Sequence, residues 1–346
     1  MNGKEKEEID KGLKLIVKSS IIVLIAFIFS KILGYLYRII IARYFGPEIY
    51  GLFSLSVVIV SLFVMISLIG FSEGVVRYIS FYRGKKEINK IRYLYRFASS
   101  LIFLFSLFVF IILFFSSEYI SIFFFNNESL VIYLKILSFA IPFWAFAIFF
   151  LSIMRAFEKI KEISVIDNIF QNIFKIIILV VLIFFGLNSG AIIFSFFLGI
   201  FVTFWASYFY CKIKLPQIFL KNNLSEKTKH NLSSEIISYS LPMLFFNVML
   251  NIFYWVDSFA IGFFKSATEV GLYNVVIPIV LLFNIAPEIF LQLFFPLATK
   301  EYSLKKFKFI KEISKQIGKW IFMINLPAFV IMIFFPEIII KILFGS

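Results

Sequence analysis

"ARYFGPEIYGLFSL", residues 42–55, joins two long apolar runs through a single Gly-Pro step. Glycine lets the backbone leave a helix, and proline suits the first position of the next one, where an N–H would go unbonded anyway. Upstream the apolar run reaches back to Lys18, and downstream it continues to about Phe81. Tyr44 and Tyr50 flank the turn, with amphipathic rings that suit a membrane–water interface. The stretch therefore reads as the turn of a transmembrane helical hairpin.

The rest of the chain agrees. Its 346 residues are 61% hydrophobic and 16% charged, with a mean hydropathy of +0.97, whereas soluble domains are about 45–50% apolar and about 25% charged. Apolar helical segments fall near 15–43, 51–81, 93–116, 130–154, 164–186, 191–212, 234–264, 271–299 and 308–334. Each can cross a hydrocarbon core of about 30 Å, which needs about 20 residues. An all-α integral membrane protein of about nine transmembrane helices is expected. The first segment is too long for a signal-peptide core, and no small-residue cleavage site follows it. Phenylalanine, at 51 residues, is too abundant to be read as a motif. One cysteine, Cys211, excludes an intrachain disulfide and a cysteine-cluster metal site, and the single His230 lies in a lysine-rich polar stretch. No metal and no cofactor is expected.

The net charge of +14 raises nucleic acid as a partner, but the positions of the charges argue against it. With the N terminus in the cytoplasm, the inner segments 1–18, 82–96, 154–163, 212–232 and 300–311 hold 24 Lys and Arg. The outer turns hold two, Arg43 and Lys265. That alternation is the positive-inside rule, and the basic charge then serves topology and attraction to anionic membrane lipids. The expected location is the cell membrane, multi-pass, with a cytoplasmic N terminus and no nucleic-acid partner.

The chain also repeats itself. "EIYGLFSLSVVI" (48–59) pairs with "EVGLYNVVIPI" (269–279), setting Gly51 on Gly271, Leu52 on Leu272 and Phe53 on Tyr273. The same offset of 220 sets Ser20 on Ser240, and an offset of 219 sets Glu118 on Glu337 in "FFSSEYISIFFF" (114–125) and "FFPEIIIKILFG" (334–345). A duplicated helical bundle follows, a common build for transporters. The expected organisation is an N-terminal six-helix lobe at 1–213, a polar cytoplasmic linker at 214–233, and a partial C-terminal lobe at 234–346. By its own repeat the chain stops about three helices short, before the equivalent of helix ten.

"FSKILGYLYRIIIARYFGPEIYGLFSL" (29–55) resembles the first-hairpin signature of the polysaccharide-biosynthesis flippases, within the multidrug, oligosaccharidyl-lipid and polysaccharide exporter (MATE) superfamily. "SYSLPMLFFNVMLNIFYWVDSFAIGFFKSATEVGLYNVVIPI" (238–279) is similar to that family's seventh and eighth helices, and "FFPEIIIKILFG" to the stretch before its tenth. The resemblance implies a MATE-like bundle of two lobes around a central cavity open alternately to each side. It also implies movement of a lipid-linked oligosaccharide, carried on a polyprenyl phosphate or diphosphate, to the outer leaflet, with glycan-assembly proteins as further partners.

Ionisable side chains deep in the membrane cost about 2.5–3.5 kcal/mol on insertion scales, so each needs a reason. Lys31 lies 13 residues from Lys18 and 12 from Arg43, about 18–20 Å from either along a helix and beyond easy snorkelling. Arg38 is two turns on along the same face. Facing a cavity, the two offer cations to an anionic head group, with Arg able to hold a phosphate bidentately. The fifth segment carries Asp167, Gln171 and Lys175 as a polar stripe. Asp167 is expected in a first turn, where the helix dipole favours a carboxylate, whereas Lys175 falls near mid-span. Lys31, Arg38 and Lys175 are the candidate substrate-binding residues. Glu288, Asp257 and Asp167 are the candidate coupling or counter-charge residues, since a buried carboxylate with a raised pKa can take up a proton near neutrality. Glu73 and Arg77, four apart, are expected to pair with each other.

No phosphate-binding GxxxxGK[ST] loop, paired metal ligands or nucleophile set appears, so an enzyme is not expected. A lipid-linked glycan flippase is the leading reading. Two alternatives stand beside it: a drug/cation antiporter of the same superfamily, which would call for a predominantly acidic cavity, and a truncated, non-transporting scaffold.

Overall fold

The structure is a computed structural model that describes residues 3–284, 286–287 and 307–344. Among the described residues it is helical, with no strand. The helices are α1 (Gly3–Ser67), α2 (Phe71–Gly84), α3 (Ile88–Tyr119), α4 (Ser129–Ser138), α5 (Ala140–Ala156), α6 (Ile160–Ile163), α7 (Gln171–Phe184), α8 (Gly190–Lys214), α9 (Glu226–Phe264), α10 (Ala267–Leu281), α11 (Phe307–Phe334) and α12 (Pro336–Phe344). Two π-helical segments, Ile120–Phe124 and Ser164–Phe170, extend α3 and lead into α7. Six described helical stretches are long and apolar enough to cross a membrane, or seven with the bent α4–α5 pair taken as one. Residues 285 and 288–299 of the segment expected at 271–299 lie outside the described residues.

α1 holds two arms. Gly46, at φ 81° and ψ 171°, is the non-helical residue inside it, and Pro47 opens the second arm. The apolar stretch Ile28–Ser67 is 40 residues long, enough for two crossings at about 20 residues each. The two arms fall in different compact units, one of residues 1–43 and 275–346, the other of residues 44–274.

Where one helix was expected over 51–81, the chain breaks at Leu68–Gly70, with Ile69 and Gly70 at positive φ. A close helix contact requires small residues there. A Cβ on Gly70 would stand 2.0 Å from the Ser240 carbonyl oxygen, and one on Gly74 would stand 2.2 Å from the Ser240 hydroxyl. A second bend, of 45°, separates α4 from α5. Pro142 has no N–H for the carbonyl of Ser138, where α4 ends.

The unit of residues 44–274 has its core along α2, α3, α5 and α8. On α3 the buried positions Ile91, Leu94, Ala98, Ile102, Val109 and Leu113 recur every three or four residues, or at multiples of that spacing. The opposite face of α3 exposes Phe103, Leu104, Phe108 and Phe115, so it is apolar all round, as a helix between protein and lipid must be. At the basic end, α9 is tied to α2 and α3. Tyr78 donates to the Glu235 carbonyl at 3.0 Å, Tyr82 to the Glu235 carboxylate at 3.2 Å, and the Tyr93 and Ser233 hydroxyls meet at 2.5 Å.

The repeat has a direct structural counterpart. A Cβ on Gly51 would stand 1.7 Å from the Ala267 carbonyl oxygen, and one on Gly271 would stand 1.9 Å from the Pro47 carbonyl oxygen. Pro47 and Ala267 are themselves 220 apart, as are Gly51 and Gly271. The contact therefore maps onto itself when each residue is exchanged for its repeat partner, which is the behaviour of a local two-fold crossing between α1's second arm and the start of α10. Small residues at such crossings let helix backbones approach closely in a membrane. The unit of residues 1–43 and 275–346 contains α1's first arm, α11 and α12; within it Asn325 donates to the Phe283 carbonyl at 3.0 Å.

Candidate substrate and charge sites

Lys31 and Arg38 lie on the first arm of α1, both half-buried. They sit seven residues apart on one helical face, as their spacing dictates. Glu288 lies outside the described residues. Asp257, near the end of α9, is exposed and accepts a hydrogen bond from Tyr273 at 2.8 Å. Asn251, earlier on α9, exchanges hydrogen bonds with Ser61 of α1 at 3.3 and 3.4 Å.

Lys175 and Asp167 sit in a more elaborate setting. The helix leading to α7 starts at Ile160, earlier than expected, so Asp167 is past the first turn and outside the reach of the N-terminal dipole. It falls instead within the π-helical segment Ser164–Phe170, a widened turn of the kind that recurs at functional sites. Lys175 and Arg155 are the cations whose charge acts on it. The aliphatic stem of Lys175 fills the space left by Gly199 of α8, where a Cβ would stand 2.3 Å from Lys175 Cγ. Its ammonium lies 5.5 Å from the centroid of the Phe196 ring, which in turn meets Phe53 at 5.4 Å and Trp144 at 5.6 Å. A cation over an aromatic face is attracted by the ring quadrupole, the more so when desolvated.

Arg155 enters from α5 and also forms an ion pair with Glu73 of α2, at 3.6 Å. This corrects the expected Glu73–Arg77 pair. Arg77 lies with its guanidinium 4.3 Å from the Tyr239 ring centroid and 5.8 Å from that of Tyr78. The local spacing favours an i,i+4 pair, but packing of α2 on α5 supplies Glu73 with a different cation. Glu73, Arg155, Asp167 and Lys175 thus form a charge cluster drawn from α2, α5 and the helix running into α7. Arg155 was not singled out from the sequence, where it counts among the cations of the inner segment 154–163 and reads as topology.

Buried neutral polar groups gather elsewhere. Asn274, 1% exposed, donates to Ser258 Oγ at 3.1 Å and to the Val270 carbonyl at 2.9 Å, while its backbone carbonyl accepts from the Tyr50 hydroxyl at 3.3 Å. A buried amide side chain carries two donors and an acceptor, so its satisfaction fixes the register of the helices around it. Cys211 is buried and in no disulfide, with its thiol donating weakly to the Phe150 carbonyl at 3.8 Å. Among the described residues no group of three His, Cys, Asp or Glu could hold a metal.

A family model described as "Polysaccharide biosynthesis protein" matches residues 16–301. Two solved structures share the fold. One, described as "protein A", is 19% identical with a TM-score of 0.65; the other, a complex of the MATE multidrug transporter DinF-BH, is 18% identical with a TM-score of 0.60. Each alignment covers 95% of this chain and 74% of the other. No curated protein matches the sequence.

Proposed function

Because the chain belongs to the polysaccharide biosynthesis protein family and has the MATE transporter fold, we propose that it flips a lipid-linked oligosaccharide or polysaccharide precursor to the outer leaflet of the cell membrane. It is a multi-pass membrane transporter rather than an enzyme.

The observation that carries it is the sign of the deep charges. Lys31, Arg38 and Lys175 are cations on apolar helices, where a charge is retained only for a purpose. Arg can grip a phosphate with two parallel hydrogen bonds, and Lys supplies a compact positive charge. These are the groups that a polyprenyl phosphate or diphosphate head needs, while its chain stays in lipid. Asp167, Asp257 and Glu288 serve as counter-charges or as the site of a coupling ion. The alternating-access motion is the rocking of one helical bundle against another. The asymmetry of the basic segments supports a cytoplasmic N terminus. A drug/cation antiporter would need an acidic pathway, and Asp167 already feels Lys175 and Arg155.

The test is reconstitution. The purified chain in proteoliposomes should expose a fluorescent lipid-linked oligosaccharide to a membrane-impermeant quencher faster than empty liposomes. Equal rates, or proton-driven export of an organic cation in its place, would refute the assignment of cargo.

A further inference from the structure

Away from the charge cluster, a cavity of ≈ 680 Å³ lies between α3, α5 and α8. Its walls are aromatic along most of their length, with Phe103 and Phe110 from α3, Phe143 from α5 and Phe204 from α8. One end is polar, formed by Tyr95, Ser99, Ser100 and Tyr208. From Ser99 to Phe110 the cavity runs eleven residues along α3, about 17 Å, or about half the hydrocarbon core. Phe103 and Phe139, 51% and 49% exposed, show that it opens to the perimeter.

The polar end is built. Arg92 donates to the Gln217 carbonyl at 2.9 Å and Arg96 to the Phe219 carbonyl at 3.3 Å, strapping the segment after α8 onto α3. The strap sets the Phe219 ring 5.0 Å from Tyr95 and 6.1 Å from Tyr208, closing the floor. Lys212 is exposed at the same end, its ammonium 5.7 Å from the Tyr208 centroid, with Lys214 in the same last turn of α8. Among the described residues, no Asp or Glu lines the cavity.

We propose that this cavity binds an anionic phospholipid of the basic-side leaflet. One acyl chain lies between the phenylalanines, and the phosphate meets Lys212 and the Ser100 hydroxyl. Bilayer tails are as apolar as the cavity, so the chain contributes fit but little driving force. The head group decides, and each lysine near an anionic surface is worth about fivefold in binding. The site lies wholly within residues 44–274, and its test is independent of transport.

The experiment is native mass spectrometry of the full chain after exchange into an equal mixture of phosphatidylglycerol and phosphatidylcholine. Wild type should retain phosphatidylglycerol at least tenfold over phosphatidylcholine. Lys212→Gln, an exposed change, should lower that preference about fivefold with an unchanged melting temperature. Leu107→Trp, which fills the cavity, should lower the total lipid retained. Equal retention of the two lipids by wild type would overturn the proposal, as would an undiminished preference in Lys212→Gln. Displacement of phosphatidylglycerol by equimolar polyprenyl phosphate would overturn the choice of ligand.

Discussion

Within residues 44–274, the crossing of α1 on α10 and the cluster around α2, α5 and α7 solve opposite problems. At the crossing, Gly51 and Gly271 bring backbone against backbone, and Asn274, Ser258 and Tyr50 satisfy one another with neutral hydrogen bonds. In the cluster, Glu73 and Arg155 pair between α2 and α5, and both keep a large share of their side chains accessible, at 40% and 52%. The first region leaves no room even for a Cβ at either glycine. The second leaves charge partly accessible, as the proposed transport role requires. Scaffold and chemistry are therefore separated, and substitutions in the two regions should fail in different ways.

The largest effect is expected at the crossing. Gly51→Val puts a side chain where a Cβ alone already stands 1.7 Å from the Ala267 carbonyl oxygen, so the helices must part. Size-exclusion chromatography in detergent should show loss of the folded peak; a wild-type profile would mean that the crossing is loose. Next, Asn274→Ala leaves the buried Ser258 hydroxyl without its amide partner and should cost about 1–3 kcal/mol, read as a lowered melting temperature. Ser61→Ala removes the bond to Asn251 and should cost about 0.6 kcal/mol, the average for such bonds between membrane helices.

A comparably small effect on stability is expected in the cluster. Arg155→Ala breaks a half-exposed ion pair with Glu73, and pairs of that kind contribute about 0.2–1 kcal/mol. Transport, in contrast, should fall by about an order of magnitude, since Arg155 is one of the cations whose charge acts on Asp167. A variant that melts early yet transports normally would erase the distinction between the two regions.

The sequence made the scaffold visible more readily than the chemistry. Gly46-Pro47 announces its turn by residue type alone, and the offset of 220 pairs Gly51 with Gly271. That the two glycines touch is a property of three dimensions, though their smallness was the clue. The break at Leu68–Gly70 was hidden because a continuous apolar run masks a positive φ. Partners of charges were the least legible. Arg77 stood at helical spacing from Glu73, whereas Arg155 reaches it only through packing of α2 on α5. Likewise Lys175 could be placed at mid-span, but its Phe196 partner was lost among 51 phenylalanines.

The central claim is that cations deep in the membrane carry an anionic head group, and Lys31 tests it most directly. Glycan export should be measured in cells bearing Lys31→Ala, with membrane levels matched to wild type. The account predicts loss of export at normal abundance; export at the wild-type rate would contradict it.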